Sequence, residues 1–269
     1  MKTRLLLLGI ALVMFAVAAC SDSTTGGVGL AMTTARPLGA PLAAAPLGLA
    51  AAPQITTAGD STKIALGNDT IILRSVEVVL REIEMKRVEA ASCDAVMGND
   101  DCEEFEVGAV LVALPLGTVA TETMINVNAP AGQYNKLEFK IHKPSASDDA
   151  AFIAANPAFN GVSIRVTGTY SQAGTRSAFT FTSDLDASQE IELAPPITVS
   201  AGAGTNVALR LDVSTWFLNS GGTALVDPAS ANAGQPNEGV VKDRIEASVD
   251  AFRDDDHDGH DDDHSGQGS

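Results

Sequence analysis

Hydrophobic and polar residues alternate along the chain from Lys63 onward, in short runs that Gly, Pro, Asn or Asp residues separate. A period of two places the apolar residues of each run on one face of a β-strand. The runs lie at residues 64–66, 71–85, 105–111, 124–128, 137–141, 163–170, 178–183, 190–193 and 207–213. About eight to ten strands at this spacing predict an all-β domain, an antiparallel β-sandwich over residues 61–218.

The phase of the alternation changes inside the second of these runs. Val76 and Leu80 share one face, whereas Ile83 and Met85 reach that face only if the strand contains one extra residue. Because a shift of one residue would otherwise turn the apolar side chains towards solvent, we predict a β-bulge at Arg81-Glu82.

Two helices are predicted beside the strands. Ser147–Asp149 can cap a short helix that ends by Ala155. Between Asn237 and about Phe252 apolar residues recur at helical spacing, with charged residues on the opposite face. We therefore expect residues 219–252 to form a long loop followed by an amphipathic helix that packs on the sandwich.

The first residues of the chain have the pattern of an export signal. Lys2 and Arg4 precede an uncharged apolar stretch that runs to Val17, and small residues close it. This arrangement predicts a signal peptide over residues 1–19. Elsewhere in the sequence no apolar run approaches the roughly 20 residues that a membrane-spanning helix needs.

Residues 17–20, Val-Ala-Ala-Cys, resemble the lipobox of bacterial lipoproteins. The resemblance implies cleavage before Cys20, a diacylglyceryl group on the Cys20 sulfur and acylation of the new amino terminus. Several acyl chains anchor a protein stably to a membrane, where one chain alone is marginal. Ser21, rather than Asp, follows the cysteine and favours the outer membrane. The alternative is an ordinary cleaved signal that precedes a cysteine.

Residues 20–60 are predicted to form a disordered tether between this anchor and the domain. Of the forty residues 21–60, 28 are Ala, Gly, Pro, Ser or Thr, and none is aromatic. Such a composition buries too little apolar surface to offset the entropy of the chain. As a flexible coil the tether would span roughly 35 Å. A loop packed on the domain is the alternative.

The charge of the chain limits its partners. The formal net charge is −17 and the isoelectric point is about 4.4. An acidic surface repels nucleic acid and gives no electrostatic attraction to anionic lipid. We therefore expect no nucleic acid partner, and a membrane partner only through the lipid anchor.

Two further cysteines, Cys93 and Cys102, bracket an acidic loop between predicted strands. In an exported protein an even pair at the ends of a hairpin loop predicts a structural disulfide. Closing a loop of this length stabilises the fold by roughly 2–3 kcal/mol in the chain-entropy model. Free thiols and a redox function are the alternatives, although an acidic loop does not suit redox chemistry.

The common catalytic motifs do not occur in the sequence: it has no G-x-S-x-G, no phosphate-binding Gly-rich loop and no H-E-x-x-H. His142, at the end of a predicted strand, is interpreted as a surface histidine. The carboxylate pairs Asp148-Asp149 and Asp184/Asp186 could act as glycosidase acids. Since they lie at turns and at a helix start, we interpret them as capping residues and predict that the protein is not an enzyme.

The C-terminal tail, residues 253–269, is rich in Asp and His. Asp254, Asp256 and Asp258 match the first half of a calcium-binding loop, in which alternate carboxylates meet at one cation. The motif resembles a single calcium loop of the thrombospondin type 3 or dockerin kind. Further oxygen ligands would come from three neighbouring residues: the backbone carbonyl of His260 and the side chains of Asp261 and Asp262. We expect weak calcium binding.

Two alternatives to calcium remain for the tail. His257, His260 and His264 are ligands that suit zinc or nickel. A solvated acidic tail without a metal is the other.

Two segments, residues 70–86 and 129–141, resemble the bacterial lipoproteins of the domain-of-unknown-function 4382 type. These proteins carry an acidic loop followed by a P-x-G-x-Y-x-x-L strand, here Pro130 to Leu137. The resemblance covers about residues 62–215 and implies a transthyretin-like or immunoglobulin-like sandwich. It implies no activity, because none is established for that family.

The sequence as a whole predicts a non-enzymatic lipoprotein of the cell envelope. Its sandwich would serve in binding, adhesion or structural support, with a protein or a glycan as ligand. A surface hydrolase acting on glycan, or a metal-handling lipoprotein that uses the Asp/His tail, are the alternatives.

Overall fold

The structure is a computed structural model that describes residues 25–34, 53–88, 108–116 and 125–253. Within these residues most of the chain forms β-strands, arranged in two sheets with few helices, which confirms the predicted all-β sandwich. The strands are β1 (Thr25–Thr33), β2 (Gln54–Ala58), β3 (Ser61–Leu66), β4 (Asp69–Arg87), β5 (Val110–Ala113), β6 (Ile125–Pro130), β7 (Gly132–Ile141), β8 (Ile164–Gln172), β9 (Thr175–Ser183), β10 (Ala187–Val199), β11 (Gly204–Leu211) and β12 (Val249–Arg253). The helices are α1 (Ala150–Ala155) and α2 (Glu238–Glu246).

The smaller sheet has four strands in the order β12-β11-β1-β6. The larger sheet has the order β10-β7-β4-β3-β2, while β5 and β8 also pair with β4 and β9 pairs with β8. All of these pairs are antiparallel except one, because β1 runs parallel to β11.

Strand β4 pairs with four other strands of the larger sheet, and it contains the predicted bulge. Its first half pairs with β3 and β8, and its second half pairs with β5 and β7. The register with β7 shifts between Arg81 and Glu84, and Glu82 adopts a left-handed backbone with φ +54°. The bulge keeps Ile83 and Met85 in the core after Leu80, as predicted from the change of phase.

Apolar side chains from β1, β4, β6, β7 and β11 contribute to the hydrophobic core of the domain. A cavity of about 10 Å³ remains between them. Its lining is entirely apolar and comprises Leu30, Met32, Leu80, Ile83, Ile125, Leu137, Phe139 and Leu209. A cavity of this volume could hold about one water molecule at most, and its lining offers that water no hydrogen bond, so the cavity is a packing defect.

Strand β1 contradicts the prediction of a tether over residues 20–60. It lies in the middle of the smaller sheet, with Gly27 opposite Gly204 of β11 and Thr25 opposite Pro130 of β6. Val28 and Met32 are fully buried. The segment Gln54–Ala58 also forms a strand, paired with β3. The folded domain therefore includes β1 and β2, which both precede residue 61.

One of the small residues that suggested disorder, Gly26, is required by the packing of β1. A Cβ atom on Gly26 would overlap the carbonyl oxygen of Ser200 and would lie 2.7 Å from the Val199 side chain. Alternate positions of the same strand carry the apolar residues Val28, Leu30 and Met32, which supply its buried face. The glycine at position 26 is thus explained by the close approach of the 199–200 backbone and side chain.

The C-terminal helix is shorter than predicted. Helix α2 ends at Glu246, and Val249–Arg253 forms β12 on the edge of β11, so the prediction of a helix to Phe252 is wrong. The hydroxyl of Ser248 donates to the carbonyl of Ile245 (2.6 Å) and also accepts a hydrogen bond from Trp216 Nε1 (2.8 Å). These bonds hold the turn at the point where the chain leaves the helix.

The described residues contain no helix that is long and apolar enough to cross a membrane.

Candidate functional site

The residues predicted to bind lipid, to form a disulfide or to bind metal lie outside the described residues. They are Cys20, Cys93, Cys102, Asp254, Asp256, Asp258, His260, Asp261 and Asp262. The signal peptide also lies outside them. These assignments stay predictions. The described strands nevertheless show which residues precede or follow these segments in the folded domain. Thr25 begins β1 five positions after Cys20, and Arg253 ends β12 directly before Asp254.

The first residue of β1 lies at one end of the sandwich, which we call the Thr25 end. Thr25 pairs with Pro130, and a tight connection of one residue, Ala131, leads from β6 into β7. The turn 200–203 connects β10 to β11 beside Gly26. Arg87 of β4 also lies at this end, where its guanidinium donates a hydrogen bond to the carbonyl of Ala131 (3.3 Å).

The opposite end carries a buried pair, His142 and Asp149. Nε2 of His142 lies 2.8 Å from Oδ2 of Asp149, and both side chains are less than a tenth exposed. The prediction of a surface histidine is therefore wrong. The backbone N–H of His142 donates to the carbonyl of Val79 (2.9 Å), so the pairing of β7 with β4 continues past Ile141. This pairing places the His142 imidazole in the interior.

Asp149 is held in its ionised form by its neighbours. Burial alone would raise its pKa, but hydrogen bonds from His142 and from the Ser145 N–H (3.1 Å) outweigh it. The Arg81 guanidinium lies 3.5 Å from the second carboxylate oxygen and acts in the same direction. The pKa of Asp149 therefore lies below its ordinary value of 3.8.

The predicted capping role of Asp149 is not what the structure shows. The residue stands at the N-cap position of α1, as expected, but its side chain makes no capping hydrogen bond. Its oxygens are used by His142, Ser145 and Arg81 instead. Asp149 joins the end of β7, the bulge of β4 and the start of α1.

Asp184 connects three further elements at the same end. Its carboxylate accepts hydrogen bonds from Lys242 of α2 (2.7 Å) and from Lys143, just after β7 (2.9 Å). These two bonds lower the pKa of Asp184 to about 2. Asp186 lies 3.3 Å from Lys140. The two aspartates therefore form ion pairs rather than caps.

This geometry bears on the proposed glycosidase chemistry. A general acid must hold its proton near neutral pH, and enzymes achieve this by raising the pKa of a carboxyl group. The pKa values of Asp149 and Asp184 are both lowered. Neither carboxyl group is suited to donate a proton to a leaving group.

The exposed face of β4, β7 and β10 carries alternating charges. Lys86 contacts Glu138 (2.5 Å) and Glu190 (3.2 Å), and Lys136 contacts Glu190 (2.8 Å). Hydrogen bonds from Lys136 and Lys86 lower the pKa of Glu190. Sequence reasoning missed this network, although the alternation in Lys136–Lys140 is its visible signal. It makes an ordered, charged outer surface.

Among residues 25–34, 53–88, 108–116 and 125–253, no three His, Cys, Asp or Glu side chains lie together as a metal site. Comparison of the chain with known protein families, with curated proteins and with solved structures finds no match. The resemblance to lipoproteins of the domain-of-unknown-function 4382 type therefore stays a prediction.

Proposed function

We propose that the protein is a non-enzymatic lipoprotein of the cell envelope, anchored through Cys20, whose β-sandwich serves in binding, adhesion or structural support. The position of β1 is the observation that carries the proposal. This strand begins five positions after Cys20 and lies between two partners in the smaller sheet. A lipid on Cys20 would therefore be attached almost directly to the core.

The state of the carboxyl groups supports a non-enzymatic role. The Asp149 and Asp184 side chains are engaged in ion pairs that tie strand ends to helices. Their lowered pKa values fit a structural task, because ionised acids stabilise partners of opposite charge. The sandwich acts as a stable platform, and its ligand is a protein or a glycan bound at the surface in the outer membrane.

The anchor is tested by the location of a Cys20→Ala variant. We expect the wild-type protein in the membrane fraction and the variant in the soluble fraction after cell lysis. Thr24→Ala is the matched control, because it changes a residue between Cys20 and β1 without removing the acylated sulfur; it should stay with membranes. A Cys20→Ala protein that stays in the membrane fraction would contradict the proposal.

A further inference from the structure

We propose that the Thr25 end of the sandwich lies directly against the uncharged headgroup surface of the bilayer, so that the domain stands upright on its anchor. This proposal rests on the proposed acylation of Cys20 and adds the orientation of the domain and the surface that contacts lipid.

The first argument is the length of the connecting chain. Five Cα–Cα steps separate Cys20 from Thr25, and each spans at most about 3.6 Å. The backbone of Thr25 therefore stays within roughly 18 Å of the acylated residue. The nine residues of β1 alone extend for about 30 Å. The far end of the sandwich cannot take the place of the Thr25 end at the membrane without turning the domain over.

The second argument is the distribution of charge. Three stretches of the chain reach the Thr25 end and run from it along the sheets: residues 25–34, residues 125–135 and residues 193–209. None of the 17 Lys and Arg or the 34 Asp and Glu residues lies in any of them. In a chain that is 19% charged, stretches of this combined length would carry several charges by chance. These three stretches therefore contribute no group that would be costly to dehydrate, and the charged side chain described at this end is that of Arg87.

The opposite end has the contrary composition. Asp184, Lys143 and Lys242 lie there with a quarter or more of each side chain exposed, in the ion pairs described above. Charged side chains of this kind keep their water when they face solvent, and they oppose contact with lipid. These exposed ion pairs therefore lie at the end of the sandwich away from Thr25.

The surface of the Thr25 end also suits a headgroup layer. Ala131, Ala201 and Ala203 are exposed, and they are small enough to let the turns approach a surface closely. Val88, directly after β4, is a large hydrophobic residue with 38% of its surface exposed.

The charge of the lipid is part of the proposal. Arg253 pairs with Val207, so the acidic tail continues from the half of the sandwich that faces the membrane. Its aspartates would be repelled by an anionic leaflet. We therefore assign zwitterionic lipid as the contacting surface.

The orientation can be measured by energy transfer from single labels to acceptor-labelled headgroups. Lipidated protein with Cys93→Ser and Cys102→Ser is labelled at Ala201→Cys, in the turn at the Thr25 end, or at Ala154→Cys, in α1 at the far end. Both proteins are bound to phosphatidylcholine vesicles, and the floated fraction is measured. We expect at least a twofold higher transfer efficiency from position 201. Equal efficiencies, or a higher value from position 154, would overturn the proposal.

An inserted linker gives a second measurement. A linker of about 20 Gly and Ser residues is inserted between Thr24 and Thr25. It should lower the energy-transfer efficiency from position 201 until it equals the efficiency from position 154. The same insertion between Ala44 and Ala45, after β1, should leave it unchanged. An insertion before Thr25 that leaves transfer unchanged overturns the role of the short connection. Protein that does not float refutes the anchor itself, whereas floated protein with equal transfer refutes only the orientation.

Discussion

Nε2 of His142 lies 2.8 Å from Oδ2 of Asp149, and this buried bond joins the end of β7 to the start of α1. The same carboxylate also accepts the N–H of Ser145 and faces Arg81 of the β4 bulge. One acidic side chain thus fixes three elements at the charged end of the sandwich.

Asp149→Asn should lower the free energy of unfolding by about 1–3 kcal/mol at pH 7, because it removes the charge that its buried partners require. The measurement is urea unfolding followed by the fluorescence of Trp216, which is fully buried. Asp148→Asn, on the neighbouring acid, which hydrogen-bonds to Ser145 at the surface, should cost much less.

The same pair gives a pH dependence. Because the pKa of Asp149 is lower in the folded protein than its ordinary 3.8, its contribution is complete above that value. The contribution is lost as the pH falls through the folded pKa. The difference between wild type and Asp149→Asn should therefore shrink below about pH 4. A difference that stays constant down to pH 3, or that grows, would contradict this assignment.

Asp184→Asn should lower the free energy of unfolding by about 1 kcal/mol, because it removes the ion pairs with Lys143 and Lys242. The estimate is small because the side chain is about one-third exposed and solvent screens the charges. With a folded pKa of about 2, the loss should appear above pH 3.8 and fade as the pH approaches 2. Asp186→Asn, which removes one exposed contact, is the control. Equal effects of the two variants would argue against a special role of Asp184.

Gly168→Ala should destabilise the protein by about 2–3 kcal/mol, because a Cβ atom there would overlap the Ile72 carbonyl and approach the Phe179 ring to 3.0 Å. The backbone of β8 passes close to β4 at this point. Gly204→Ala is the matched strand control, since nothing lies within 4 Å of its added carbon. Thermal unfolding of both variants tests the difference, and similar midpoints would disprove it.

Glu82→Gly should raise the free energy of unfolding by roughly 0.5–1 kcal/mol, because glycine accepts the left-handed backbone of the bulge without steric cost. The Arg81–Glu82 contact of 3.5 Å is exposed and contributes little. Glu84→Gly, in the extended part of β4, should act in the opposite direction. Urea unfolding of both variants measures the two changes in the free energy of unfolding. Destabilisation by both variants would show that the backbone of the bulge is not strained.

Much of the sandwich could be predicted from the sequence because strand alternation is a local signal. The bulge at Arg81-Glu82 was visible for the same reason, as the apolar positions on either side must face one core. Strand β1 was missed because its Gly, Ala and Thr residues resemble a linker. Their role depends on neighbours such as Ser200, far away in sequence, which only the fold brings close.

The charged end of the sandwich was the least predictable part. His142 lies at a strand end, where a histidine is usually exposed, and its burial depends on pairing with Val79. The end of α2 was ambiguous as well. Val249 and Ala251 fit an alternating pattern as well as a helical one. This segment forms a strand because it pairs with the edge of β11.

The mass of the N-terminal peptide of protein isolated from membranes tests the central claim most directly. A proteolytic digest should yield a first peptide that begins at Cys20 and carries a diacylglyceryl group on sulfur and an acyl group on the amino terminus. A first peptide that begins elsewhere, or that begins at an unmodified Cys20, would contradict the account of this protein as an anchored lipoprotein.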